Sequence, residues 1–307
     1  YPFMAAFDAA AALYRAAGNS RLPMIVSACC NLVNIAGNAL LMFVFDMGVA
    51  GAAIATTAST ALSAVIMLCY LRRPGQTVEV GPLTALRPDW RVIWLVLSIG
   101  IPSGIENAMF QLGKLMVQST VSTLGTAAIA ANAIVVVLEY LTSMPSTAIG
   151  TGLMTVAGQC IGAGRLDEAK RNIVKLTGWS TAILFVVNWA IFFLTAPVTR
   201  VAGLEPDAAA MTVHVMLIIS IAKPFLWALA FVPPNGLRAA GDVKFTMIVS
   251  VVSMWVCRVA LTTLLCRVWS WGLVGIWCGY FADWTVRSIC FTLRYFSGKW
   301  AAHHVID

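Results

Sequence analysis

Charge is scarce in this chain. Asp, Glu, Lys and Arg make up 11% of its 307 residues, against roughly 25% in a soluble domain. So few charges would not cover a water-facing surface. Histidine is nearly absent, at 3 residues, and the 8 cysteines form neither a CxxC nor a Cys/His ligand spacing. No metal site or redox pair is therefore expected. Cys29, Cys30, Cys69, Cys257, Cys278 and Cys290 lie in apolar runs and read as unpaired packing residues. No Ser/His/Asp arrangement marks a hydrolase, and no enzyme is expected. The Gly-rich loop GQCIGAGRLDEAKR at 158–171 lacks the GK[ST] and the preceding strand of a nucleotide loop.

Apolar residues are what is there: 60% of the chain, in repeated runs long enough to cross a hydrocarbon core of about 30 Å. The fold class is an all-α polytopic membrane protein, whose partner is the lipid bilayer. About nine transmembrane helices are expected, over 1–14, 22–45, 49–71, 93–121, 126–161, 173–195, 208–233, 245–266 and 273–296. The fourth should bend at Gly100-Ile101-Pro102 and the fifth kink at Pro145, while Pro224, Pro233 and Pro234 interrupt the seventh. A Pro/Gly-rich polar connection at 74–91 divides the chain.

The net charge of +7 would suit nucleic acid, but the basic residues fall in the short connections, so no nucleic-acid partner is expected. Arg15, Arg21, Arg72, Arg73, Arg87, Arg91, Arg165, Lys170, Arg171, Lys175, Arg238, Lys244, Arg294 and Lys299 share one side; Arg200 and Arg267 take the other. That asymmetry predicts a cytoplasmic C-terminus.

Residues 15–27 read RAAGNSRLPMIVS and residues 238–250 read RAAGDVKFTMIVS, identical at 8 of 13 positions. Spans one to three thus correspond to spans seven to nine, as a parallel repeat. Three further spans are expected ahead of the first, giving twelve as six plus six with a pseudo-twofold relation. On this reading 1–73 holds the last three helices of an N-terminal bundle. The segment 74–91 is a cytoplasmic linker, and 92–307 is a C-terminal six-helix bundle with a cytoplasmic tail.

Several stretches carry a resemblance: IPSGIENAMFQLGKL at 101–115, LGTAAIAANAI at 124–134, VAGQCIGAGRLDEAKR at 156–171, the turn LYRAAGNSRLPM with its repeat GLRAAGDVKF, and RYFSGKW at 294–300. In that order they resemble the multidrug and toxin extrusion (MATE) transporters over nearly the whole chain. The resemblance implies a secondary-active exporter in a bacterial inner membrane, working by alternating access. It would exchange H⁺ or Na⁺ for small amphipathic, often cationic drugs, with no other cofactor and as a monomer. It also implies a coupling role for Glu106. One departure stands out: where some members carry an acid eleven residues before the Arg of the cytoplasmic turn, this chain has Trp227. A sodium site shared with that helix is not expected.

The residues themselves point the same way. Ionisable groups in hydrocarbon cost at least a few kcal/mol and usually face a bundle interior or wet cavity. Glu106, with Asn107 and Gln111 beside it, is the first candidate for the cation-coupling and substrate cavity; Asn132, Glu139 and Asn38 complete the set. An internal ion pair with Lys114 or Lys223 is the other role open to Glu106. Lys114 lies roughly 80° round the same helix, which disfavours a direct intrahelical pair. It reads instead as a snorkelling residue. Asn31, Asn34 and Asn38 share a helix face suited to interhelical hydrogen bonds. Asp283 and Arg287 form an i,i+4 pair with Arg258 as a possible neighbour. Asp8 is a further candidate acid, and His303 and His304 read as inert. A flippase for lipid-linked sugars and a non-transporting structural membrane protein stand as alternatives; a basic cavity would favour the flippase.

Overall fold

The computed structural model describes residues 1–73 and 89–302. Arg87, His303, His304 and most of the 74–91 linker lie outside the described residues, which form helices joined by short turns, with no strand among them. The chain divides into two compact units, Tyr1–Trp90 and Arg91 onward.

In the first unit, α3 (Gly48–Leu71) packs against both α1 (Pro2–Ala16) and α2 (Arg21–Ala39). Gly18, in the left-handed region at φ 84°, turns the chain between α1 and α2. The five residues Leu40–Val44 extend α2 as a π-helix. Ala10, Ala11, Tyr14, Val26, Cys30, Met67 and Leu71 make the core.

The second unit begins with α4 (Trp90–Val121), α5 (Thr126–Gly162) and α6 (Leu166–Val201). The chain continues through α7 (Pro206–Phe231) and α8 (Pro233–Ala239). Next come α9 (Val243–Ser253), a π-helical stretch Met254–Leu261 and α10 (Thr262–Arg267), which run on as one rod. The last long helix is α11 (Gly272–Phe296), followed by a 3₁₀ turn. Acidic Asp167 and Glu168 occupy the first turn of α6, where the helix dipole favours them.

Seven of these rods are long and apolar enough to cross a membrane. The two left out of the nine expected spans are α1, only 15 residues long, and α11, whose hydropathy is lowered by buried Asp283 and Arg287. Large apolar side chains such as Phe193, Leu194, Val186 and Trp179 are exposed along α6, a surface suited to lipid rather than water.

Pro102, Pro145 and Pro224 all sit inside continuous helices. The expected interruption by Pro224 is therefore absent, and the break falls at Val232, just before Pro233. Proline removes an N–H from the ladder. Here the Asn235 Nδ2 donates to the Phe231 carbonyl at 2.8 Å, satisfying an acceptor at the break.

Two apolar clusters hold this unit. One joins Val117, Val135, Leu138, Leu184, Met216, Ile219, Trp277 and Trp284; the other joins Leu153, Ala157, Ile173, Leu237, Phe291 and Trp300.

Candidate functional site

The cavity forms where α8 returns the chain after the break at Val232. It encloses 310 Å³ and is lined by Glu106, Asn107 and Phe110 of α4, Trp227 and Phe231 of α7, and Arg238 of α8, with Arg287 of α11 at its wall. Trp227 and Phe231 stack at 4.6 Å between ring centroids, giving one apolar flat side. Thr147 and Thr151 of α5 and Asn235 add neutral polar groups.

Glu106 is the acidic side chain in this wall. Its Oε1 accepts from Arg238 Nη2 at 2.6 Å, and the two side chains are 14% and 23% exposed. Arg238 Nε also donates to Thr246 Oγ1 at 3.3 Å. The ion pair thus corrects the expected partners, Lys114 and Lys223. Lys114 is exposed, its ammonium 5.1 Å from the Phe110 ring centroid. Lys223 belongs to a different carboxylate.

That carboxylate is Glu139. Lys223 Nζ donates to Glu139 Oε1 at 2.8 Å, with its side chain wholly buried. It also meets the Glu139 carbonyl at 2.7 Å, Thr142 Oγ1 at 2.5 Å and Ser143 Oγ at 2.7 Å. Glu139 and Lys223 stand next to the cavity, through Trp227, but outside its lining.

A third group lies behind Arg287. Asp283 Oδ1 accepts from Arg287 Nε at 2.7 Å and Oδ2 from Arg258 Nη2 at 2.5 Å, joining the i,i+4 pair to its neighbour as the spacing suggested. Ser253 Oγ donates to Asp283 Oδ1 at 2.5 Å. The Arg258 guanidinium lies 4.1 Å from the Tyr280 ring centroid and 5.1 Å from that of Phe110. The π-helical turn carries Arg258 into this position, as wide helical turns often do at functional sites.

Of the other expected site residues, Asn107 lines the cavity, its amide donating to the Ser103 carbonyl at 2.9 Å. Gln111 is exposed on α4 and takes no part in the cavity. Asn132 is buried in α5 within the first apolar cluster region, away from the cavity lining, and its Oδ1 has no hydrogen-bond partner. Asn38 lies in the first unit, donating to Asn34 Oδ1 at 3.1 Å; Asn34 in turn donates to Ser59 and Thr56 of α3. Interhelical bonding is thus the observed use of that stripe. Asp8 is exposed on α1.

Sequence alone marks none of Arg238, Arg287 and Phe110 as a lining residue of the cavity. The one signal for Arg238 is its place as the first residue of the repeated RAAG turn, which reads as a connection.

The description MatE is that of a family model matching residues 102–264, more than half of the chain. The chain belongs to the MatE family. It is 30% identical over 313 residues to the probable multidrug resistance protein NorM of Thermotoga maritima, covering all of this chain and 66% of that protein. With the probable multidrug resistance protein YoeA of Bacillus subtilis it shares 26% identity, over 97% of this chain and 65% of the relative. The chain therefore spans just under two thirds of the length of these relatives. Its fold is that of solved MATE structures. A point mutant of the Vibrio cholerae MATE transporter VcmN superimposes with a TM-score of 0.85, at 16% identity, over 97% of this chain and 67% of that one. A MATE in the bent conformation gives 0.81 at 16% identity, over 97% and 67%. The MatE match includes Glu106, Glu139, Lys223, Arg238 and Arg258 and stops before Asp283 and Arg287 of α11. With seven spans apolar enough for lipid, this MatE chain is a multi-pass membrane protein.

Proposed function

We propose that this chain is part of a secondary-active exporter of amphipathic, often cationic drugs, exchanging them for H⁺ or Na⁺ by alternating access of two bundles. Multidrug resistance in the names of its relatives supports the class. Within this chain, the observation that carries the reading is Glu106 in the cavity wall, held by Arg238 at 2.6 Å.

A carboxylate so placed has three competing partners: Arg238, a proton or metal cation, and the cationic end of a drug. A drug cation stacked against Trp227 and Phe231 draws Glu106 from Arg238, and aromatic faces attract such cations. Arrival of the coupling ion at Glu106 removes the charge the drug was using and releases it. Only one cation at a time is served, which is the requirement for exchange. The 1–73 segment would supply the last three helices of the N-terminal bundle and 92–307 the whole C-terminal one. The C-terminus would face the cytoplasm of a bacterial inner membrane, with the protein a monomer.

The interior charge favours one other reading. Lys223, Arg238, Arg258 and Arg287 outnumber Glu106, Glu139 and Asp283 in the second unit. Such an excess suits an anionic cargo, as in a flippase for lipid-linked sugars.

Full-length protein in proteoliposomes, loaded with ethidium and given a proton gradient and then a sodium gradient, tests both. Efflux driven by either gradient, and lost in Glu106→Gln at normal expression, is the expected result. Full efflux in Glu106→Gln overturns the role of Glu106. No efflux in folded wild-type protein, with translocation of a lipid-linked sugar instead, establishes the flippase.

A further inference from the structure

The surroundings of Lys223 are richer in oxygen than an ammonium requires. An ammonium has three N–H donors. Around Lys223 Nζ stand four oxygens: Glu139 Oε1 at 2.8 Å, the Glu139 carbonyl at 2.7 Å, Thr142 Oγ1 at 2.5 Å and Ser143 Oγ at 2.7 Å. All four belong to one turn of α5, where positions i, i+3 and i+4 share a face. The hydroxyls of Thr142 and Ser143 donate to the Glu139 carbonyl, each at 2.8 Å, and Ser143 is also 2.9 Å from Glu139 Oε1. Their protons face the glutamate, which leaves their lone pairs for whatever sits at Nζ.

A carboxylate, a backbone carbonyl and two hydroxyl oxygens, all hard donors, form a ligand set suited to a hard cation. The occupant here arrives from another helix. Lys223 comes from α7 and is wholly buried, whereas the Glu139 side chain keeps 18% of its exposure.

We propose that the Lys223 ammonium is a tethered cation, permanently filling a monovalent-cation site built by α5. The helix turn Glu139-x-x-Thr142-Ser143 is then a cation-binding element whose ion is covalently part of the protein. Coupling through a mobile ion in this unit does not pass through Glu139. The tether also joins α5 to α7 directly beside Trp227, whose ring centroid is 5.9 Å from Nζ. This inference concerns ion occupancy alone and stands or falls separately from drug export.

Removing the tether should open the site. Lys223→Ala in the full-length protein deletes the ammonium and its stem and leaves all four oxygens. Equilibrium binding of ²²Na⁺ and ⁸⁶Rb⁺ to purified protein is measured for wild type, Lys223→Ala and Lys223→Ala/Glu139→Gln. One additional ion per chain is expected in Lys223→Ala over wild type, and its loss in the double variant. Any ion held at Glu106 is common to all three and cancels. A folded Lys223→Ala protein with no additional ion of either kind overturns the proposal. Where Lys223→Ala is recovered only in unfolded form, purification in ethylammonium chloride supplies the missing group. Restored folding with ethylammonium, but not with an uncharged alcohol of the same size, supports the tethered-cation reading. Failure of ethylammonium, Na⁺ and Rb⁺ alike to restore it overturns the proposal.

Discussion

Asp283→Ala should be among the most damaging single changes in the second unit. Asp283 is the carboxylate shared by Arg258 and Arg287, at 2.5 and 2.7 Å, and both arginine side chains are 3% exposed. Removing one member of a buried ion pair costs about 3–5 kcal/mol, because the other charge is left without a partner in low dielectric. Here two charges are left. Arg287 keeps the Ser250 carbonyl, to which Nη2 donates at 2.9 Å. Arg258 keeps less, since its Nε has no hydrogen-bond partner even in the intact site. What remains to it is the ring faces of Tyr280 and Phe110, each contact worth roughly 0.5–2 kcal/mol.

The expected loss therefore lies at the upper end, about 5 kcal/mol. At roughly 2–4 °C per kcal/mol for a unit of this size, the Tm falls by about 10–20 °C. Thermal unfolding of purified full-length protein in detergent, followed by tryptophan fluorescence, measures it. The triple change Asp283→Leu/Arg258→Met/Arg287→Leu removes all three charges together and should recover most of the loss, since an apolar set of similar volume often replaces a buried ionic one without penalty. A Tm for Asp283→Ala within about 3 °C of wild type, well below the span set by the buried-pair cost, would refute the reasoning. A triple variant as unstable as the single one would assign the loss to packing instead.

Two other predictions concern packing. A Cβ on Gly279 of α11 would meet Thr262 Oγ1 and lie 3.2 Å from the Cys257 carbonyl, so the rod containing Met254–Leu261 crosses α11 too closely for alanine. Gly279→Ala should cost about 1–3 kcal/mol. Thr262→Ala in the same chain should return part of that in a double-mutant cycle, and strictly additive Tm changes would sink the idea. Trp300 is wholly buried, stacks on Tyr295 at 6.1 Å and donates from Nε1 to the Tyr295 carbonyl at 3.1 Å. Trp300→Ala should lower stability by about 3–5 kcal/mol and make the end of α11 more sensitive to protease. Unchanged protease sensitivity and Tm would show that Trp300 adds nothing to the cluster around Phe291.

Hydropathy made the helices legible wherever lipid-facing and buried residues form one uninterrupted apolar run. The run 126–161 matches α5 at Thr126–Gly162, and 49–71 matches α3 at Gly48–Leu71. It fell short at α6, expected over 173–195 and observed over Leu166–Val201. Asp167, Glu168, Lys170 and Arg171 end the apolar run without ending the hydrogen-bond ladder, so the helix reaches beyond the hydrocarbon. The π-helical stretches Leu40–Val44 and Met254–Leu261 left no mark in hydropathy either, because a widened turn changes backbone register while composition stays the same. Both fall in the second helix of their copy of the repeat. The sequence repeat that pairs these helices gave no sign that each carries a π-helical segment.

Partner choice was the part that periodicity could not supply. A helical pattern says which face a side chain occupies, and Glu106, Glu139 and Asp283 were each conspicuous as acids in apolar stretches. Which base meets which acid depends on the level each reaches along neighbouring helices. Lys114 is close to Glu106 in sequence but exposed, while Arg238, 132 positions away, arrives because the chain breaks at Val232 and α8 turns it inward. The same three acids also show why an intramembrane charge is not by itself a mark of function. Asp283 is saturated by two arginines and fully buried, which makes it a structural junction. Glu139 is filled by a lysine that has no exposed surface of its own. Among the three, Glu106 has a partner from a seven-residue helix beside a proline break, and both groups line a cavity. A carboxylate exchanges ligands only where its present one can leave, so Glu106 is where a change of occupancy has the least packing to undo.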